Sequence, residues 1–222
     1  MLFSGKTTED NTIVELLASA LRKDIAFGKL LPDQKLKIRE LRMRYGGSNH
    51  SMRETLRILS SEGLVEATAQ RGFRVTSATE DDLRDIQLVR LQIETVALGR
   101  AIRLGDVAWE GRVIAAHHAL QKAEARVAAS PDDLTALEWD KACGGFAAAL
   151  IEACASPRLI DLQCKFFDQS RRFRLAQMRE GKLDWTGRQA RQKALLEAVL
   201  AKDEKNALAL LQAEIEAELK SA

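Results

Sequence analysis

Ser48, Asn49, His50, Ser51 and Arg53 crowd the start of a helix that the sequence predicts from Ser48 or Ser51 to Gly63. Met52, Leu56 and Leu59 fall on one face of that helix, while His50, Arg53, Glu54 and Arg57 fall on the other. Small or polar residues at a helix N-terminus, with long donors behind them, suit a helix laid in a DNA major groove. Base edges and phosphates there offer acceptors within their reach. Arg39 opens the preceding helix and is placed to reach the same groove edge. Arg71-Gly72 form the tip of a basic turn, where glycine lets the backbone approach an adjoining minor groove. A charged helix face is also what an ordinary solvated helix presents, so the order of the surrounding elements has to decide.

Those elements have a consistent order. Ile13, Leu16, Leu17, Ala20, Leu21 and Ile25 recur at helical spacing, and Gly28 ends that helix. Leu30-Leu31-Pro32-Asp33 reads as a turn into a short extended piece at Lys35-Leu36. A second helix covers roughly 37–45 and is broken by Gly46-Gly47. Ser51-Met52-Arg53-Glu54 has capping-box spacing for the third. After Gly63, LVEA and FRVTS read as two strands joined by TAQRG. Three helices and a β-wing within residues 1–77 are the plan of a winged helix-turn-helix. This stretch carries 13 Lys/Arg against 9 Asp/Glu, whereas the remainder carries 21 against 23. The basic excess thus falls where the DNA-binding pattern lies.

From residue 78 to 222 strand signals disappear, and the fold class is mainly α. Apolar periodicity predicts an all-helical antiparallel bundle of about six helices, with starts near Thr79, at 107, at Ser130-Pro131-Asp132-Asp133, at Ser156-Pro157, and near 186 and 204. No apolar run approaches the ~20 residues that span a bilayer, and MLFSGKTTED lacks the apolar core of a secretory signal. The expected location is the cytoplasm. Three cysteines, Cys143, Cys154 and Cys164, without CxxC spacing argue against a disulfide frame or zinc knuckle. If one helix holds Cys143 and Cys154, three turns separate them by about 16 Å, too far for a disulfide. Three histidines, of which His117-His118 read as structural, leave no Ser-His-Asp, Cys-His or paired-carboxylate constellation, so an enzyme is not expected.

FGKLLPDQKL, REL and YGGSNHSMRETLRILSSEGLVEATAQRGFRV together resemble the GntR family of bacterial regulators. The likeness is carried by Arg53-Glu54-x-Leu56, Glu62-Gly63-Leu64-Val65 and Arg71-Gly72-Phe73-x-Val75. It implies that Arg39, Asn49, Arg53 and Gly72 occupy DNA-contact positions. The family often has an arginine where this chain has Asn49, and asparagine reads adenine rather than guanine.

The helical half resembles the FadR C-terminal (FCD) type of effector domain. The likeness rests on Arg90-Leu-Gln-Ile-Glu94, FAAALIEACASPRLIDL, RRFR and ALLEAVLAKDEKNALALL. Within that type it is similar to regulators of small-acid catabolism that carry FHAALIEACGS. The family often holds a divalent metal on an aspartate or histidine, a histidine four residues on, and two later histidines. Those positions correspond here to Cys143, Ala147, Gln192 and Glu214, so no metal and no cofactor are expected; Asp140 lies two turns before Ala147 and is no simple substitute. Arg90 and Arg174 match positions whose arginines face a ligand in similar proteins. With Cys143, Gln192 and Glu214 they form the expected effector site. The resemblance implies a homodimeric repressor that binds pseudo-palindromic operator DNA and responds to a small carboxylic acid. The alternative is a constitutive DNA-binding regulator with a decayed effector site.

Overall fold

The computed structural model describes residues 8–68 and 72–220, which form two compact units, residues 1–78 and 79–222. In the first unit the order is α1 (Thr8–Ala26), β1 (Lys35–Leu36), α2 (Ile38–Tyr45), α3 (Asn49–Ser61), β2 (Val65–Thr68) and β3 (Gly72–Val75). The strands are antiparallel in the order β1-β3-β2, with Leu36 opposite Phe73 and Val65 opposite Val75. This is a winged helix-turn-helix. Its core gathers Leu21 of α1, Leu41 of α2, and Met52, Leu56 and Leu59 of α3. The buried stripe of α1 is rotated from the expected one. Val14, Leu17, Ala18, Leu21 and Ile25 are buried, whereas Ile13 and Leu16 are exposed. The helix is turned by its packing on α3, where the buried Thr55 hydroxyl donates to the Val14 carbonyl at 3.3 Å.

The second unit is all helical: α4 (Glu80–Leu104), α5 (Val107–Ala129), α6 (Asp133–Ile151), a 3-10 turn (Glu152–Cys154), α7 (Pro157–Gln169), α8 (Arg171–Arg179), α9 (Trp185–Leu200) and α10 (Glu204–Lys220). Helix α5 packs on α6, α9 on α10, and α4 on both α7 and α10, around fully buried Trp109, Trp139, Leu98 and Leu120. One expected helix after Ser156 is two. Buried Ser170 ends α7 because its hydroxyl donates to the Phe167 carbonyl at 2.8 Å, and the Arg174 guanidinium donates to that same carbonyl at 3.0 Å. A side chain that captures a helix carbonyl competes with the backbone ladder. At α6 the cap is Asp132, whose side chain accepts from Thr135, so Pro131 precedes the helix rather than opening it. Cys143 lies within α6 and Cys154 in the turn beyond it, so the two do not share a helix.

Candidate nucleic-acid interface and effector site

The start of α3 is fixed by a serine pair. Ser48 is the N-cap; its hydroxyl accepts from the Ser51 amide at 3.0 Å, and the Ser51 hydroxyl accepts from the Ser48 amide at 2.8 Å. This satisfies two of the amides that a helix start leaves without partners. The box therefore runs from Ser48 to Ser51, not from Ser51 to Glu54. Ser51 is only 4% exposed, so its hydroxyl serves the cap and is withdrawn from the groove-facing set that the sequence assigned to it. Ser48, Asn49, His50, Arg53 and, on α2, Arg39 are exposed. Gly72, the first residue of β3, is exposed at the wing with φ +88. Arg71 lies outside the described residues.

One exposed cation of this surface was missed by the sequence reading. Arg42 on α2 donates from Nη1 to Asn49 Oδ1 at 3.0 Å and from Nε to the Gly47 carbonyl at 3.1 Å. It thereby joins α2, the turn and the first residue of α3. On the opposite side of α2, Asp24 accepts from Arg44 at 2.6 Å and from the Tyr45 hydroxyl at 2.5 Å, locking α2 to α1. Arg39 on α2 and Arg53 on α3 enter no ion pair among the described residues, which leaves one exposed guanidinium on each of these helices.

In the helical unit, Arg90, Cys143, Gln192 and Glu214 all line one inner cavity of about 40 Å³, together with Ala147. Its volume accommodates a few waters. Arg174, expected beside them, is absent from its lining. That side chain is buried against Asp140, donating to Oδ1 from Nη2 at 2.7 Å and from Nε at 3.1 Å. Its ring contact is with Phe167, whose centroid lies 3.8 Å from the guanidinium carbon. Arg174 thus pairs with Asp140 and lies outside this lining. Arg90 does face the cavity, but it donates to Glu94 at 2.7 Å and to Glu218 of α10 at 2.7 Å.

Arg188 of α9, which the sequence reading did not single out, lies in the same lining. Its Nε is 3.3 Å from Glu124 Oε1, its Nη1 3.4 Å from Glu214 Oε1, and its Nη2 3.5 Å from Cys143 Sγ. The inner lining therefore sets Glu94, Glu214 and Glu218 against Arg90 and Arg188. A second cleft, of about 200 Å³, shares Arg188, Glu214 and Glu218 and adds Gln177, Asp184 and Arg191. Burial raises the Glu218 carboxyl, but Arg90, Arg174 and Arg188 together hold it below its ordinary value. Asp140 is likewise pushed up by burial and brought below its ordinary value by Arg174 and Arg171. Burial wins at two other groups. The Cys143 thiol is pushed up to about 12 despite nearby Arg188 and Arg174, and Glu124 is raised despite Arg188. A neutral thiol is a poor nucleophile, so the buried Cys143 offers no nucleophilic chemistry in this arrangement.

Residues 14–75 match the family described as bacterial regulatory proteins, gntR family, and residues 85–217 match the FCD domain. The HTH-type transcriptional repressor GlaR of Escherichia coli (strain K12) is 32% identical over 195 residues, covering 86% of this chain and 87% of GlaR. The chain belongs to the GntR family. It is a DNA-binding transcription regulator of the GntR/FCD type, a family of regulators rather than enzymes. The HTH-type transcriptional regulator BphR of Paraburkholderia xenovorans (strain LB400) is 37% identical over 145 residues, 65% of this chain and 59% of BphR. Among solved structures, a GntR regulator from Rhodococcus sp. RHA1 superposes with a TM-score of 0.71 at 22% identity, covering 94% of this chain and 96% of that one. McbR/YncC of E. coli gives 0.70 at 17% identity, covering 92% and 93%. These likenesses show the fold. No helix among the described residues is long and apolar enough to cross a membrane.

GntR regulators of the FCD type often carry a metal ion, and the four corresponding residues do converge here, since Cys143, Ala147, Gln192 and Glu214 line one cavity. They do not fit the ion. Ala147 has no donor, and a guanidinium stands against Cys143 and Glu214, where it would repel a dication. Among the described residues, no group of three or more His, Cys, Asp or Glu is arranged to hold a metal.

Proposed function

We propose that this GntR regulator is a cytoplasmic, homodimeric repressor whose helical unit senses a small organic acid without a metal ion. The observation that carries the reading is the pair of buried guanidinia, Arg90 and Arg188, set in a cavity and an adjacent cleft and held there by glutamates of α10. An acid whose carboxylate takes a bidentate place on either arginine must release Glu218 or Glu214. Ligand binding and a shift of α10 are then one event, and the acid stabilises the shifted arrangement by population shift. The repressor assignment is supported by the name GlaR carries. A two-fold dimer would set two α3 helices on the half-sites of a pseudo-palindrome.

Two measurements test this. Thermal melting against a panel of mono- and dicarboxylic acids identifies the ligand, since an acid that binds the folded state raises Tm. Fluorescence anisotropy on a duplex selected from random sequence then reads operator affinity with and without that acid. The expected result is one acid that raises Tm and weakens operator binding, with Arg90→Ala retaining the operator and losing the response. An unchanged response in Arg90→Ala removes Arg90 from the site. A second reading, a constitutive regulator with a decayed site, has one observation in its favour: both arginines are already neutralised by the chain's own glutamates. It predicts that no acid shifts either Tm or affinity.

A further inference from the structure

A cleft of about 480 Å³ opens where the end of α5, the start of α6, the end of α8 and the start of α9 meet. Its volume falls in the range of roughly 300–1,000 Å³ typical of small-molecule sites. It shares no lining residue with the two cavities around Arg90 and Arg188. Val127, Ala136, Met178 and Trp185 give it apolar walls. Trp185 is the first residue of α9, and its ring stands edge-on against buried Trp139, with centroids 5.5 Å apart at 71°. A half-buried aromatic ring fixed by packing is ready to receive an apolar group, because little ordering remains to be done on binding.

Three charged residues also line the cleft: Asp132, Asp133 and Arg179. Asp132 serves the cap of α6, where its carboxylate accepts from the Thr135 amide at 2.8 Å. Asp133 Oδ1 and Arg179 Nη2 face each other at 3.8 Å, with side chains 48% and 40% exposed. An exposed pair at that separation contributes less than about 1 kcal/mol, so a ligand with better partners for both groups can replace it. We propose that this cleft binds a free amino acid with an apolar or aromatic side chain, its carboxylate on Arg179, its ammonium on Asp133 and its side chain against Trp185 and Met178. The charges select for both ends of the ligand at once. A carboxylate without an ammonium takes Arg179 but sets a like charge beside Asp133, and an amine without a carboxylate does the same to Arg179. A zwitterion replaces the exposed pair and leaves neither charge alone. The planar guanidinium suits the carboxylate end. Trp185 lies one turn before Arg188, whose guanidinium carbon is 5.5 Å from the Trp139 ring, so the ligand bears on the start of the helix that carries Arg188. The inference is independent of the acid-sensing reading, since it uses none of that site's residues.

The test uses the full-length protein and L-phenylalanine, which adds no tryptophan emission of its own. Trp109 and Trp139 are fully buried and Trp185 is partly exposed, so a ligand against Trp185 moves the emission to the blue. A saturable blue shift and a rise in Tm are expected. Phenethylamine, which lacks the carboxylate, and hydrocinnamate, which lacks the ammonium, should each bind at least about tenfold more weakly. Arg179→Gln and Asp133→Asn should weaken L-phenylalanine to the same degree, and Ala128→Leu, on the lining of the cleft, should block it. All three positions are exposed, so these variants should keep the parent's helical circular dichroism. Trp185→Phe should keep the rise in Tm and lose the spectral shift. No response to millimolar L-phenylalanine or L-leucine overturns the proposal. So does hydrocinnamate or phenethylamine binding as tightly as L-phenylalanine, an affinity that Arg179→Gln and Ala128→Leu leave unchanged, or a spectral shift that survives Trp185→Phe.

Discussion

At the scale of single residues, Asn49 is the position we propose to read a base. A bidentate contact to adenine uses both the oxygen and the nitrogen of the amide, yet Oδ1 already accepts from Arg42 at 3.0 Å. Arg42 must therefore release that oxygen on binding, or enter the groove with it. Asn49→Ala is expected to cost about 1–3 kcal/mol of discrimination at one base pair. Arg39→Ala should instead weaken all duplexes alike and reduce the slope of log K against log salt by about one, as a phosphate contact does. Anisotropy with operator variants over a salt series separates the two; a change of base preference in Arg39→Ala would show that it reads a base. His50 and Arg53 were legible as an exposed face because helical periodicity puts them opposite Met52, Leu56 and Leu59, whereas Asn49 was picked out by its place at the helix start and by the resemblance. Arg42 was not, since its partner lies across a turn whose course only the fold reveals. Ser51 was misread because exposure at a helix start depends on which serine is the cap.

At the scale of elements, two glycines act for different reasons. Gly47 sits in the turn between α2 and α3 with φ +81, and a Cβ there would lie 3.0 Å from both Leu17 Cδ1 and Ser51 Oγ. Gly47→Ala combines left-handed strain, about 1–2 kcal/mol, with pressure on α1 and on the cap of α3. Loss of stability in urea and weaker operator binding should appear together; full affinity in a destabilised variant would separate the turn from the positioning of α3. Gly105 ends α4, a place where glycine commonly supplies a left-handed residue. Here its backbone is extended, φ −70 and ψ 140, so conformational freedom is not the reason. An added Cβ would lie 2.0 Å from Trp109 Cε3, and Trp109 is fully buried. Gly105→Ala should therefore destabilise the helical unit by about 1–3 kcal/mol through overpacking, while Gly111→Ala, with open space at its Cβ, should not. Equal urea midpoints for the two variants would dismiss the steric account. Sequence could locate the end of α4 at Gly105, but only the packing of Trp109 says why it is glycine.

At the scale of the whole molecule, the architecture was readable from periodicity and turn residues, whereas the wiring of charges in the helical unit was not. Arg90 finds Glu218 across 128 residues and Arg174 finds Asp140 across 34, separations at which no local pattern pairs them. The arginines that resemblance set aside for a ligand are consequently bound by the chain itself, and pH should expose that wiring. Asp140 and Glu218 are both held below their ordinary values in the fold, so each stabilises it above the ordinary carboxylate range. Their contribution is lost as pH falls below about 4, through their folded values. His117, lowered by burial and by His118, acts in the same direction at higher pH, because the unfolded chain takes up that proton first as pH drops below the ordinary histidine value. Glu124 opposes them: raised by burial, it takes up a proton more readily when folded, and so recovers some stability on acidification. Asp140→Asn leaves Arg174 buried without its counter-charge and should cost about 3–5 kcal/mol at neutral pH. The deficit must then shrink as the solution is acidified, since protonated Asp140 in the parent loses the same interaction. Urea unfolding of parent and variant between neutral pH and pH ~3 measures it. A deficit that stays constant over that range would mean that the Asp140–Arg174 pair is not what the acid titrates.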